Sequence, residues 1–215
     1  MITLAIDAST YRGTVAVIRD GSIAATAMSA MRGARSEGLM PAVAEALASA
    51  DVKPATIERV ICGAGPGSFT SLRIAAGIAK GIALGAGAPL YAVSSLGLTI
   101  AASAVGPGRY IVTLDALRNE WYAAIYVRLA DGSVVEEQPA RLLARDAVEA
   151  FAASVNASVI GPAGSPAEPH ASGCVALAEA IEQSGPVDLE RWEPAYGRLA
   201  EAQVKWEAAH GPLPT

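Results

Sequence analysis

Hydrophobic and polar positions alternate along the first thirty residues. "ITLAID" (2–7) is an apolar run ending in an acid, and "TVAVIRDGSIAATAMS" alternates on both sides of Asp20-Gly21. A period of two predicts half-buried strands, and Asp-Gly between two such runs predicts a tight hairpin. The chain therefore opens with three strands, joined at "ASTYRG" and "DG". The period then changes. In "SEGLMPAVAEALASA" (36–50), Leu39, Val43 and Leu47 recur every fourth residue. This predicts a helix, with Ser36 as N-cap and Pro41 tolerated in the first turns. "IERVICGAG" reads as a buried strand, "GAGPGSFTS" as a loop, and the apolar run behind it as a helix of about four turns. "PLYAVSS" adds a strand and "LGLTIAASA" a helix.

"VGPGR" (105–109) breaks the pattern and marks a domain boundary. The pattern then restarts. "YIVTLDA" ends in Asp115 as "ITLAIDA" ended in Asp7, and a second Asp-Gly hairpin is expected at 131–132. A helix ("ARDAVEAFAAS"), a strand running into glycines ("SVIGPAG"), a Pro-rich loop (165–173) and a helix ("CVALAEAIEQS") follow. Two halves with one plan predict an α/β protein of two lobes: 1–105, joined by a C-terminal helix at 195–210, and a smaller 106–190. That last helix offers Leu199, Gln203, Val204 and Trp206 for docking on the core.

The 215 residues suffice to bury a real core, and 52% of them are hydrophobic. The net charge is −5 and Lys and Arg are scattered, so this chain lacks the clustered cations that hold nucleic acid unaided. Two cysteines, Cys62 and Cys174, are too few for a disulfide framework, and Cys62 in an apolar strand reads as a small buried hydrophobe. The N-terminus lacks a signal-peptide pattern, and the longest apolar run, Ile74–Val93, is interrupted by Lys80. A soluble cytoplasmic protein is expected.

Candidate chemistry begins with Asp7 and Asp115, acids at strand ends where α/β folds place ligands and where phosphotransfer enzymes orient magnesium. Each alone reads equally as a turn acid. "GAGPGSFTS" is no Walker A loop, since its nearest lysine is Lys80; it is neither GxGxxG nor GxSxG. What remains is a glycine turn (Gly65, Gly67) with Ser68 and Thr70 as caps, between a weak anion site and a plain turn. His170 and His210 fit no metal or protease motif and read as solvent-facing. Trp121, Tyr122 and Tyr126 read as strand residues.

The helix is more telling. Gly77, Gly81 and Gly85 recur every four residues on one face, each costing ~1 kcal/mol against alanine. Close approach of another backbone would offset that, from this chain's own sheet or from a second subunit.

The segments "LAIDAST", "GAGPGSFTSLRIAAGIAKGIALG", "YAVSSL", "LDALRNEWYAAIY" and "EPAYGR" resemble, in order, the TsaB (YeaZ) family of tRNA threonylcarbamoyladenosine biosynthesis. The resemblance implies two ribonuclease-H-like lobes of the actin/sugar kinase/Hsp70 ATPase fold. It implies a non-catalytic activating subunit that forms a heterodimer with the transferase TsaD and works with the ATPase TsaE and ATP. Together they modify the adenosine 3′ of the anticodon, with tRNA held only through the complex. It implies a docking face on the first two helices, here Leu39, Met40, Val43, Leu47, Arg73, Gly77, Lys80, Gly81 and Gly85. The vestigial nucleotide or anion loop would comprise Asp7, Ser9, Thr10, Gly65, Gly67, Ser68, Thr70 and Asp115. No metal or cofactor is implied beyond weak nucleotide binding at the cleft or complex interface, and the chain alone would be free to pair with itself. Two departures stand out: Arg35 occupies the usual histidine position before Ser36, and Ser71 replaces the glycine after "GSFT". The rival reading is an active ATPase or small-molecule kinase of the same fold using Asp7, Thr10 and Asp115. A protease lacks every signature.

Overall fold

The computed structural model describes residues 1–33 and 37–197. The expected N-cap Ser36, the departure Arg35, the C-terminal helix with Leu199, Gln203, Val204 and Trp206, and His210 lie outside the described residues.

Strand β1 (Ile2–Asp7) pairs antiparallel with β2 (Arg12–Arg19) and parallel with β4 (Arg59–Gly63). β3 (Ser22–Ala30) lies outside β2, and β5 (Leu90–Val93) lies outside β4, giving the order β3-β2-β1-β4-β5. The β2–β3 turn is the one foreseen. Asp20 and Gly21 both take positive φ, 51° and 77°, as a two-residue hairpin demands. The second sheet, from β6 (Gly108–Asp115), β7 (Glu120–Arg128), β8 (Val134–Ala144) and β9 (Ser158–Ile160), runs β8-β7-β6-β9. That is the same order without a fifth strand. Its Asp-Gly turn is wider than expected, because only Gly132 goes to positive φ while Asp131 accepts the Ser133 N–H and hydroxyl.

Alternation decides the layers. On β1, Leu4 and Ile6 point to α1 (Leu39–Ser49) and α2 (Phe69–Ala86), while Ala5 points the other way. Leu72, Ala75, Ala79 and Ala83 of α2 are buried, the three alanines against this sheet. By length and composition α2 would suffice to cross a membrane, but its alanines pack here as those of a core helix do. A second core fills the space between the sheets, where α3 (Ser95–Ala102) and the stretch 171–184 meet Ala16, Ile61, Val112 and Leu114. On the far side of the second sheet, α4 (Val148–Val155) covers Ile111, Trp121 and Ile125. Two ribonuclease-H-like lobes in tandem make the fold of actin, sugar kinases and Hsp70 ATPases.

One boundary moves. A 3₁₀ stretch (Ala171–Val175) and α5 (Ala178–Ser184) return to the first lobe, and Val187, Leu189 and Trp192 pack on its outer core. The second lobe ends near residue 170 rather than 190, because the apolar groups after it face the first sheet.

Candidate functional site

Two features of the first lobe bear on function: a sealed acid and an open helix flank. Asp7 ends β1 with no exposure. Its Oδ1 accepts the Ser9 N–H at 3.0 Å and the Ser9 hydroxyl at 2.8 Å, and its Oδ2 accepts the Ser95 hydroxyl at 2.5 Å. Ser95 Oγ in turn accepts the Gly65 N–H at 3.1 Å, and the Ser9 carbonyl accepts the Ser68 N–H at 2.7 Å. The glycine loop thus folds down as a lid on the acid. Burial drives the Asp7 carboxyl above its ordinary value of 3.8, against the opposing pull of its Ser95 and Ser9 hydrogen bonds. A carboxylate so enclosed is aimed at hydroxyls, not at a ligand.

The raised value has a definite sign. Between the unfolded and folded titrations the native chain holds the extra proton, so wild-type stability falls as pH rises past about 4. Asp7→Asn cannot titrate. In urea melts its stability should gain on the wild type between pH 4 and pH 7; an unchanging difference would show that burial does not control this carboxyl.

The supposed twin of Asp7 is not Asp115. Ile6 pairs with Cys62 on β4, and Val112 pairs with Ile160 on β9, so the next residues along, Asp7 and Thr113, are equivalent. The glycines beside them agree. A Cβ on Gly63 would lie 1.9 Å from Asp7 Oδ2, and one on Gly161 would lie 2.2 Å from the Thr113 carbonyl oxygen. Thr113 is buried and its hydroxyl donates to the Ile160 carbonyl at 2.9 Å. Asp115 sits two residues further on, exposed, 2.7 Å from Arg145 Nη2 and capping the Leu117 N–H. The matching "DA" strings misaligned the halves by two residues.

The rest of the proposed loop is local structure. Thr10 Oγ1 accepts the Arg12 N–H at 3.3 Å. Neither Ser68 nor Thr70 caps α2, because Ser68 Oγ turns to Ser71 Oγ at 3.0 Å and Thr70 is exposed. Gly65 (φ 89°) leaves no room for a side chain beside the Ala195 carbonyl. His170 is half-buried rather than solvent-facing: its Nδ1 accepts the Ser172 N–H, and burial lowers its pKa. Ser95 and Gly63, which complete the acid's shell, escaped notice in the sequence; a serine in "AVSSL" and a glycine after a strand carry no distinguishing signal. Among the described residues no three His, Cys, Asp or Glu side chains converge as a metal site would need.

The flank of α2 is open. Gly77, Gly81 and Gly85 are exposed, and a Cβ on any of them would meet nothing within 4 Å among the described residues. Of the two occupants left open by the sequence, this chain's own sheet is therefore not the one. Arg73 heads the row, exposed, its guanidinium 5.4 Å from the Phe69 ring. Lys80 is half-buried with Nζ 5.8 Å from the Trp192 ring. On α1 the expectation needs correcting. Leu39, Val43 and Leu47 are spent on the chain's own core, since an apolar period of four marks the buried face. The outward positions are Met40, at 46% exposure, with Ala44 and Ala48 in line behind it. Met40, Ala44 and Ala48 of α1 and Gly77, Gly81 and Gly85 of α2 are all exposed.

Residues 31–168, more than half of the chain, match the family TsaD, described as tRNA N6-adenosine threonylcarbamoyltransferase. The chain belongs to this family. Within it the likeness is to TsaB (YeaZ) proteins. The tRNA threonylcarbamoyladenosine biosynthesis protein TsaB of Bacillus subtilis is 29% identical over 226 aligned residues, covering 96% of this chain and 98% of that one. The Escherichia coli protein of the same name is 37% identical over 135, covering 61% and 58%. A solved Pseudomonas aeruginosa protein described as similar to peptidase YEAZ superposes with a TM-score of 0.78 at 25% identity, over 92% of this chain and 99% of that one.

Proposed function

We propose that this family member acts in tRNA threonylcarbamoyladenosine formation as a non-catalytic, activating subunit. Its α1–α2 surface docks a TsaD-type transferase as a heterodimer. ATP is handled by a TsaE-type ATPase, and tRNA is held by the assembled complex. The observation that carries this reading is the pairing of a sealed acid with an open glycine flank. Where an ATPase of this fold would present two acids to magnesium, Asp7 is enclosed by Ser9 and Ser95 and its counterpart is Thr113. On the exposed flank of α2 three glycines stand bare among the described residues. The names of the Bacillus subtilis and Escherichia coli relatives supply the pathway.

Reconstitution tests it. Threonylcarbamoylation of tRNA by TsaD-type and TsaE-type subunits should require this chain, while calorimetry of the isolated chain with Mg-ATP should give no heat of binding. Tight Mg-ATP binding that Asp7→Asn abolishes would instead establish the ATPase or kinase reading.

A further inference from the structure

One corner of the first lobe, at the turn between β1 and β2, sets an open ring beside a free cation in a chain whose net charge is −5. Tyr11 stands in that turn and is 52% exposed. The guanidinium of Arg32, just past the end of β3, lies 4.8 Å from the centroid of its ring. Arg32 is exposed and makes no ion pair or hydrogen bond among the described residues. The backbone beneath the pair is fixed. The Tyr11 carbonyl accepts the Met31 N–H at 2.8 Å, and Thr10 Oγ1 accepts the Arg12 N–H at 3.3 Å. Arg12 is exposed as well, but its Nη1 lies 3.4 Å from Glu168 Oε2. A Cβ on Gly13 would stand 2.8 Å from both Leu39 Cδ1 and Met31 Sδ, so the corner adjoins the first turn of α1.

We infer that this corner touches an unpaired nucleotide of the tRNA, the base stacking on the Tyr11 ring and Arg32 meeting a phosphate beside it. An exposed aromatic ring accepts the flat face of any base, and a guanidinium set against the ring supplies the charge that a backbone phosphate needs. Because the ring and the turn are already held in place, little freedom is lost when the RNA arrives. The cations here are too few to hold RNA alone, so the corner adds one grip to an RNA carried by the assembled complex. An acidic peptide would use Arg32 and leave the ring idle, whereas a nucleotide uses both. Glu168 holds Arg12 back, so removing its charge should strengthen the contact. The contact rests on the proposed role in tRNA modification and assigns part of the RNA's footprint to this chain.

The test is fluorescence anisotropy of labelled tRNA with this chain assembled on its TsaD-type subunit. Tyr11→Ala should weaken tRNA binding about tenfold, while Tyr11→Phe should keep it near the wild-type value, since stacking needs the ring and not the hydroxyl. Arg32→Gln should weaken it about threefold and make log affinity fall less steeply with log salt, the slope changing by about 0.7. Glu168→Gln should tighten it about twofold. Size exclusion should find all four variants in the complex, since each position is exposed. If Tyr11→Ala leaves tRNA affinity unchanged in an intact complex, or costs subunit assembly instead, the RNA contact is wrong and the proposed function stands. Calorimetric binding of a free mononucleotide that Tyr11→Ala removes would make the corner a mononucleotide site and overturn the RNA contact. If the wild-type chain neither assembles with the TsaD-type subunit nor supports tRNA modification, the proposed function falls and the contact with it.

Discussion

Gly81→Leu should make the isolated chain more stable and the complex about a hundredfold weaker. The two effects come from one fact: a Cβ at this position meets nothing within 4 Å among the described residues. A glycine inside an exposed helix costs ~1 kcal/mol relative to alanine, and leucine recovers most of it, so the thermal midpoint should rise by a few degrees. In the proposed complex the same side chain would stand where the partner backbone approaches. Overpacking there should cost about 2.7 kcal/mol, the equivalent of the hundredfold loss. Calorimetry against the TsaD-type subunit, beside a melt of the free chain, reads both numbers. Binding at wild-type affinity would leave the bare flank without a role. A drop in melting temperature would mean that the flank is covered within this chain. Opposite signs are what separate an interface glycine from a packing glycine, and no single measurement could do so.

The sequence carried the layers well because strand alternation is a strong signal. Leu4 and Ile6 against Ala5, and Ile111 against Val112, sort the cores as their period of two requires. The same logic misled at α1. Periodicity finds the apolar stripe, and the apolar stripe of a soluble helix is the buried one, so Leu39, Val43 and Leu47 could not also be the docking face. The outward row Met40, Ala44 and Ala48 was written in the sequence but has no hydrophobic contrast to announce it. Asp115 was misassigned for another reason. Text similarity aligned "IDA" with "LDA", whereas the backbone aligns Ile6 with Val112 through their partners on β4 and β9. The strand pairing and the close approach of Gly63 and Gly161 both reveal that offset, and both are three-dimensional facts. The second-lobe boundary failed likewise, because a helix after β9 gives no sign in its own residues of which sheet it covers.

In the loop before α2 the glycines should behave in the opposite way. Gly67→Ala should destabilise the fold by about 3 kcal/mol, since its Cβ would stand 2.1 Å from the Ser9 carbonyl oxygen, which also accepts the Ser68 N–H. Neither backbone can yield without breaking that bond and loosening the lid over Asp7. Against a total stability of ~5–15 kcal/mol this is a large share, and chemical denaturation would measure it directly. Gly63→Ala should cost a comparable amount for a different reason, because its Cβ would lie 1.9 Å from Asp7 Oδ2. The two can be told apart by a double-mutant cycle. Asp7→Ala removes the obstructing carboxylate, so Gly63→Ala should cost markedly less in that background, while Gly67→Ala should cost nearly the same. Equal penalties in both backgrounds would show that Gly63 is required by the strand rather than by the acid. The sealed cluster would then be a consequence of the loop's path and not its purpose.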